Sequence, residues 1–362
     1  GSRGSNGVIM ITTKAGTGSR PSVIFKAEAG GSVIAKYLDT MDAVEFATYY
    51  NDYRYLTSYY FNSDADKKYS PIESYGGKFA DPMSLGKGTD WLREITRVAP
   101  YQNYNLSISG KTGSLKYFAS VGYTDKQGIV KASGIRRYSA RMNIDYDVAK
   151  WISIGYRGSF SYIVQKQNPV NIGGTNFWNG AIYLNPILNP ESVVNDLYNN
   201  SPRINNPSMC IKYIEKNQHR ATQNHAAVFT VRPGKGWKIR SQNSYMIYQR
   251  HDYQFWPNSL PANTSDEGST AYRYEGDAQK FATENTVSYD YTSVTKHHVD
   301  VMAGFTASRT IAHGLSLKAG GLLVEELKWG NMGGVTDKEN VTYSSNSSEV
   351  IRESVLFRAN YN

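Results

Sequence analysis

Apolar and polar side chains alternate with period 2 along much of the chain. From Arg137, the residues Tyr138, Ala140, Met142, Ile144 and Tyr146 share one face, and Arg137, Ser139, Arg141, Asn143 and Asp145 share the other. A period of 2 predicts a strand with one apolar face. The pattern returns from Ile152, where Ile152, Ile154, Tyr156, Phe160 and Tyr162 oppose Ser153, Gly155, Arg157, Ser159 and Ser161. The same rule marks strands at about 21–31, 101–110, 115–125, 222–232, 236–250, 278–291, 297–308 and 350–361, with 222–232 the least regular. These runs match the ~9–11 residues with which a tilted strand crosses a bilayer.

The connections sort by length. Short ones (111–113, 147–150, 233–235 and 292–296) alternate with long ones (about 32–100, 126–134, 164–221, 251–276 and 309–349). Short turns on one side and long loops on the other are the layout of an outer-membrane barrel, and a soluble sandwich has no reason to sort its loops. The expected fold is therefore all-β: a partial antiparallel transmembrane β-barrel of about ten strands, from a plugged class of ~22 strands. Thr40–Tyr50 reads as a short helix capped by Thr40 or Asp42. The stretch 314–329 is ambiguous. Leu315, Leu317 and Ala319 alternate, but a strand there would break the short/long order, so the stretch is assigned to a loop.

Composition removes several alternatives. No run approaches the ~18 apolar residues of a membrane helix, and mean hydropathy is -0.52. A barrel survives this test because its strands average to hydrophilic. The 29 Tyr, 6 Trp and 32 Gly suit strands with interfacial girdles. Cys210 is the single cysteine, so no internal disulfide forms. The formal net charge of +9 is spread among 31 acidic residues without a basic block, which argues against nucleic acid. A cationic lumen, contact with anionic lipopolysaccharide, or the cutting of a longer chain each explains it. The chain opens in a Gly-rich turn and stops in a strand-like run, so it is expected to be a fragment.

Three blocks carry a family resemblance. The first is GSRGSNGVIMITTKAG (1–16), the second is Thr89-Asp90-Trp91 followed by APYQNYNLSISG (99–110), and the third is GIVKASGIRRYSARMNID (128–145). Together they resemble TonB-dependent outer-membrane transporters of the SusC/RagA type, sharply over about 1–160 and mainly in rhythm beyond. The resemblance makes 1–16 the C-terminal end of the plug, with Gly1, Arg3, Gly4, Asn6 and Gly7 as its turn motif, and 17–362 the N-terminal part of the barrel. It implies import of a large nutrient, most often an oligosaccharide, across the outer membrane of a Gram-negative, Bacteroidetes-type cell. The partners it implies are outer-membrane lipid, a SusD-like lipoprotein that closes the mouth, and TonB, which acts through a segment before residue 1. A peptide importer of the same family and a non-transport surface β-protein are the alternatives.

The chemistry-bearing residues point to binding rather than catalysis, and no enzyme, cofactor or metal is expected. Gly1, Gly4 and Gly7 precede a β-branched run, not the helix that a phosphate loop needs. His297 and His298 are adjacent and point to opposite faces of a strand. Glu325 and Glu326 read as a solvated loop pair. Aromatic residues in long loops suit stacking on sugar rings, beside amides for the hydroxyls. Phe177, Trp178, Asn179 and Tyr183 in 164–221 are the ligand-binding candidates, with Tyr253, Phe255, Trp256 and Asn258 in 251–276. Packing of the loops on each other, or on the lipoprotein, explains the same residues.

Overall fold

The computed structural model describes residues 20–60, 79–168, 171–172, 175–191, 206–258, 260, 268–292 and 297–361. The motif Gly1, Arg3, Gly4, Asn6 and Gly7 lies outside them. Ten strands form one antiparallel sheet in chain order: β1 (Ser22–Ser32), β2 (Ala99–Thr112), β3 (Leu115–Gln127), β4 (Gly134–Ala149), β5 (Ile152–Lys166), β8 (Glu215–Gly234), β9 (Trp237–Trp256), β10 (Thr270–Thr292), β11 (His298–Gly320) and β12 (Val341–Tyr361). A two-residue pair, β6 (Asn171–Ile172) and β7 (Thr175–Asn176), lies within a long loop. No helix among the described residues is long and apolar enough to cross a membrane. The strands can do so.

Register defines two faces. Tyr104, Tyr123, Tyr138 and Tyr162 oppose one another across β2–β5, as do Leu106, Val121, Ala140 and Phe160. The face continues through Phe229, Ile239, Val287, Ala303 and Phe357. Large apolar side chains stand exposed along it, Val121 at 56% and Phe305 at 42%. That is the surface a lipid-facing band requires. The opposite face carries Arg137, Arg141, Ser159, Asn224 and Lys280 and faces the lumen. Aromatic rings border the band. Tyr104, Tyr123, Tyr138 and Tyr162 stack in sequence at 5.2–6.5 Å along its upper edge. Trp237, Tyr289 and Tyr291 mark the lower edge. Val121→Arg places a charge on the lipid face near mid-height and is expected to destabilise the folded barrel by about 2–4 kcal/mol. The loss would be read as a lower temperature of the heat-modifiable gel shift.

Four polar residues interrupt the band on β9 and β10. Thr283 Oγ1 donates to Asn243 Oδ1 (2.9 Å), Asn285 Nδ2 to Thr283 Oγ1 (3.0 Å), and Asn243 Nδ2 to Ser241 Oγ (3.2 Å). Bonding to one another removes part of the cost of facing lipid.

The later strands are longer than alternation predicts. β8 and β9 run for 20 residues and β10 and β11 for 23. At ~3.3 Å per residue and ~40° tilt they rise roughly 50–60 Å, twice the ~25 Å apolar band. Their upper halves stand outside the bilayer. Gly314–Gly320 is therefore strand and not loop, paired with Thr270–Gly276 and Val341–Asn346. The short/long order survives because the loop moves to 321–340 and does not vanish. That loop folds onto the outer face, where Leu322, Met332 and Val335 bury Phe255 with Ala271 and Ala319.

Candidate ligand-binding mouth

The loops between strands build a platform over the sheet. α1 (Ala43–Tyr60) begins with reciprocal bonds: Glu45 N donates to Asp42 Oδ1 (2.9 Å) and Asp42 N to Glu45 Oε2 (3.0 Å). Asp42, not Thr40, is thus the cap, and the helix runs ten residues past the predicted end at Tyr50. α2 (Trp91–Ile95) starts at Asp90, whose Oδ1 accepts from Arg93 N (3.0 Å). α3 (Phe177–Tyr183) and α4 (Pro207–Tyr213) follow in the loop between β5 and β8.

One core ties three loops together. Trp91, Leu92 and Ile95 of α2 pack with Val130 and with Ala181 and Leu184 at α3. Trp91 Nε1 donates to the carbonyl oxygen of Asn185 (3.0 Å), and Thr89 N donates to that of Pro186 (2.7 Å). The Thr-Asp-Trp block thus has a physical role: strut, cap and anchor in consecutive residues. Burying Ala181 and Leu184 turns the other side of α3 outward, leaving Trp178 39% and Tyr183 60% exposed. The side chains of Phe177 and Asn179 lie outside the described ones.

Below the platform, the lumenal face of β8–β10 gathers a polar and aromatic wall. Asp252 is buried and accepts from Arg250 Nε (3.0 Å to Oδ1) and from Gln218 Nε2 (2.9 Å). The Arg250 guanidinium lies 5.4 Å from the Tyr274 ring centre. Tyr274 lies over Gly276 and Gly314, where a Cβ would come within 2.6 and 2.9 Å of its hydroxyl. Tyr272 sits on the same face, two residues before Tyr274. The wall offers aromatic rings beside a fixed carboxylate and guanidinium, a set suited to a polyhydroxylated or amide-rich ligand.

Trp256 shares this face and packs against Met209, Cys210, Ile214 and Leu260. Tyr253, three residues away on a regular strand, projects outward, where its ring meets Trp329 at 5.4 Å and His219 at 5.7 Å. Phe255 is also outward, buried under the 321–340 loop. The structure therefore brings Trp256 to the lumenal side and separates Tyr253 and Phe255 from it. Asn258 takes Glu325 as acceptor for its backbone N–H (2.9 Å), so Glu325 serves the loop. His297 pairs with the Tyr361 hydroxyl (2.7 Å) and His298 with Thr292 Oγ1 (3.0 Å), next to a short turn. Sequence reasoning missed Arg250, Asp252, Tyr272 and Tyr274. Their i, i+2 spacing was a visible signal.

Cys210 is buried in the middle of α4, and burial pushes its thiol up to about 12. Alkylation needs the thiolate. A maleimide at pH 7.5 is therefore expected to leave the folded receptor unlabelled and to label it fully after denaturation, with slow labelling of the native form emerging only at strongly alkaline pH.

No family model matches the chain. It is 25% identical, over an alignment of 370 residues that takes in its whole length, to TonB-dependent receptor P26 of Formosa agariphila, and covers 35% of that protein. It is 36% identical over 146 residues, 40% of its own length and 12% of the relative's, to TonB-dependent receptor SusC of Bacteroides thetaiotaomicron. The RagAB peptide importer in its open-open state superimposes at a TM-score of 0.79 and 20% identity, over 100% of this chain and 42% of that one. The chain resembles TonB-dependent receptors of the SusC/RagA type. It spans about a third of the length of the curated relatives it matches along its whole length. The ten-stranded sheet shares its fold with an open part of such a plugged barrel, and its exposed apolar face is the surface suited to the outer membrane.

Proposed function

We propose that the receptor carrying this chain imports a large nutrient, an oligosaccharide, across the outer membrane, drawing energy through TonB and trapping its cargo beneath a SusD-like lipoprotein. One observation carries the reading. The sheet has a lipid-facing outside and, on its inside at mouth height, Tyr272, Tyr274 and Trp256 beside Arg250, Asp252 and Gln218. Rings stack on the C–H faces of sugars, and the fixed polar groups meet hydroxyls. The platform adds Trp178 and Tyr183, exposed on a helix whose other side is anchored.

The test is uptake of fluorescent oligosaccharides by cells that make the full-length receptor, with and without TonB. Accumulation that requires both supports import. Surface binding without accumulation in either strain would point to a non-transport β-protein. A peptide cargo is the second reading, favoured by the fold shared with a solved peptide importer, and labelled peptides in the same assay decide between them. Trp178→Ala is expected to weaken oligosaccharide capture about fivefold, the loss of one stacking contact worth ~1 kcal/mol. Unchanged affinity by titration would remove Trp178 from the site.

A further inference from the structure

The lumenal face of β4, β5 and β8 carries arginines that nothing in the described structure neutralises. Arg137 and Arg220 fall in one cross-strand row with Ile163 between them, and Arg141 lies four residues further along β4 on the same face. Between these levels runs a row of hydroxyls, Ser139, Ser161 and Thr222. Arg137, Arg141 and these hydroxyls border a hollow of about 490 Å³, and Arg220 stands beside it, two residues along β8 from Thr222. Elsewhere on this face Arg157 is matched to Asp145 at 2.7 Å and Arg250 to Asp252 at 2.5 Å, whereas Arg240 meets the Gln242 amide oxygen at 2.6 Å. Among the described residues no carboxylate reaches Arg137, Arg141 or Arg220. Arg220 has only the Gln165 amide oxygen at 3.1 Å, and its Nε is buried without a partner, as is the Ser161 hydroxyl.

Buried donors left unmet are costly unless an acceptor arrives from outside. A guanidinium fork matches carboxylate and sulfate oxygens in shape and charge. The two levels of cation stand about 13 Å apart along β4, four residues at ~3.3 Å each, with hydroxyls between them. That arrangement reads repeated charges on a hydroxyl-rich chain rather than a single ion. The stretch 1–16, read as the end of the plug, holds Arg3 and Lys14 and no Asp or Glu, so it brings no counter-charge to this wall.

We infer that Arg137, Arg141 and Arg220 form an oxyanion-reading track, and that the cargo is an oligosaccharide carrying carboxylate or sulfate groups. The inference rests on the import reading and narrows its substrate class.

The test uses the full-length receptor and a panel of oligosaccharides in matched pairs, uronate with its methyl ester and sulfated with desulfated. The charged members are expected to bind at least tenfold more tightly at low salt, and the advantage to shrink as sodium chloride is added. The triple variant R137Q/R141Q/R220Q is expected to bring the charged-to-uncharged ratio close to one while keeping the heat-modifiable mobility of a folded barrel. Equal affinity for both members of every pair in the unaltered receptor, or binding of none, overturns the track. So does a variant that keeps the charge preference but exposes its plug to protease, because the arginines would then be holding the plug. If the variant fails to fold, the salt dependence of the unaltered receptor decides: an advantage that ignores salt overturns the track. Import by cells of the uncharged members alone defeats this inference and leaves the import reading standing, whereas import of no member, with charge preference intact in solution, does the reverse.

Discussion

Gly236→Val is expected to prevent the sheet from closing past β8. Gly236 sits in the short turn before β9 at φ +83°, a conformation that β-branched residues rarely adopt. A Cβ there would lie 1.9 Å from the carbonyl oxygen of Asp290 and 3.0 Å from its carbonyl carbon, both backbone atoms of the next hairpin. The Gly236 carbonyl also accepts from Asp290 N (3.0 Å), so the turn cannot move away without losing that bond. Strain and clash together cost on the order of 4 kcal/mol or more. The receptor is expected to be lost from outer-membrane fractions and to show no heat-modifiable band. Gly330→Ala, where a Cβ meets open space, serves as the control and is expected to change stability by no more than about 0.5 kcal/mol. Normal assembly of the valine variant would mean that the β8–β9 turn is not held against β10.

Trp91→Ala carries the second large effect, local and not global. Trp91 is 3% exposed at the centre of the core that joins the first three loops, and its indole N–H is bonded to the Asn185 carbonyl. Removing the ring costs about 3–5 kcal/mol. Because that core lies above the bilayer, the barrel below it is expected to keep its melting temperature while the loops separate. Protease added to intact cells is expected to cut near α2 and α3 in the variant and to spare the unaltered receptor. Equal cleavage would place the loops' stability elsewhere.

The contrast between these two regions explains what the sequence revealed. The lower halves of the strands were legible because lipid on one side and a wet lumen on the other force period 2, as at Tyr138–Tyr146. Above the bilayer that constraint ends. Gly314–Gly320 keeps Leu315, Leu317 and Ala319 in alternation, but the loop 321–340 covers its outer face, so solvent no longer marks the boundary between strand and loop. Loop helices gave weaker signals still. α2 is five residues long and is fixed by the Asp90 cap and the buried Trp91, not by any repeat. For the site, residue type pointed to the loops and missed the strand wall. Parity alone separates Tyr253 from Trp256 once 251–256 is recognised as strand, and the same parity brings Arg250, Asp252, Tyr272 and Tyr274 together.

The polar quartet on β9 and β10 bears on how the surrounding membrane settles. Ser241, Asn243, Thr283 and Asn285 lie between Ile239 and Val287 below and Tyr245 and Phe281 above. Acyl chains beside this strip meet amides and hydroxyls where neighbouring strands offer Phe229 and Phe305. The apolar band is thus broken between its upper and lower parts on β9 and β10, whereas on β4 it runs through Tyr138, Ala140, Met142 and Ile144. The lipid beside this sheet is therefore not met uniformly: at one fixed sector its acyl chains lie against polar groups that bond to one another and not to lipid.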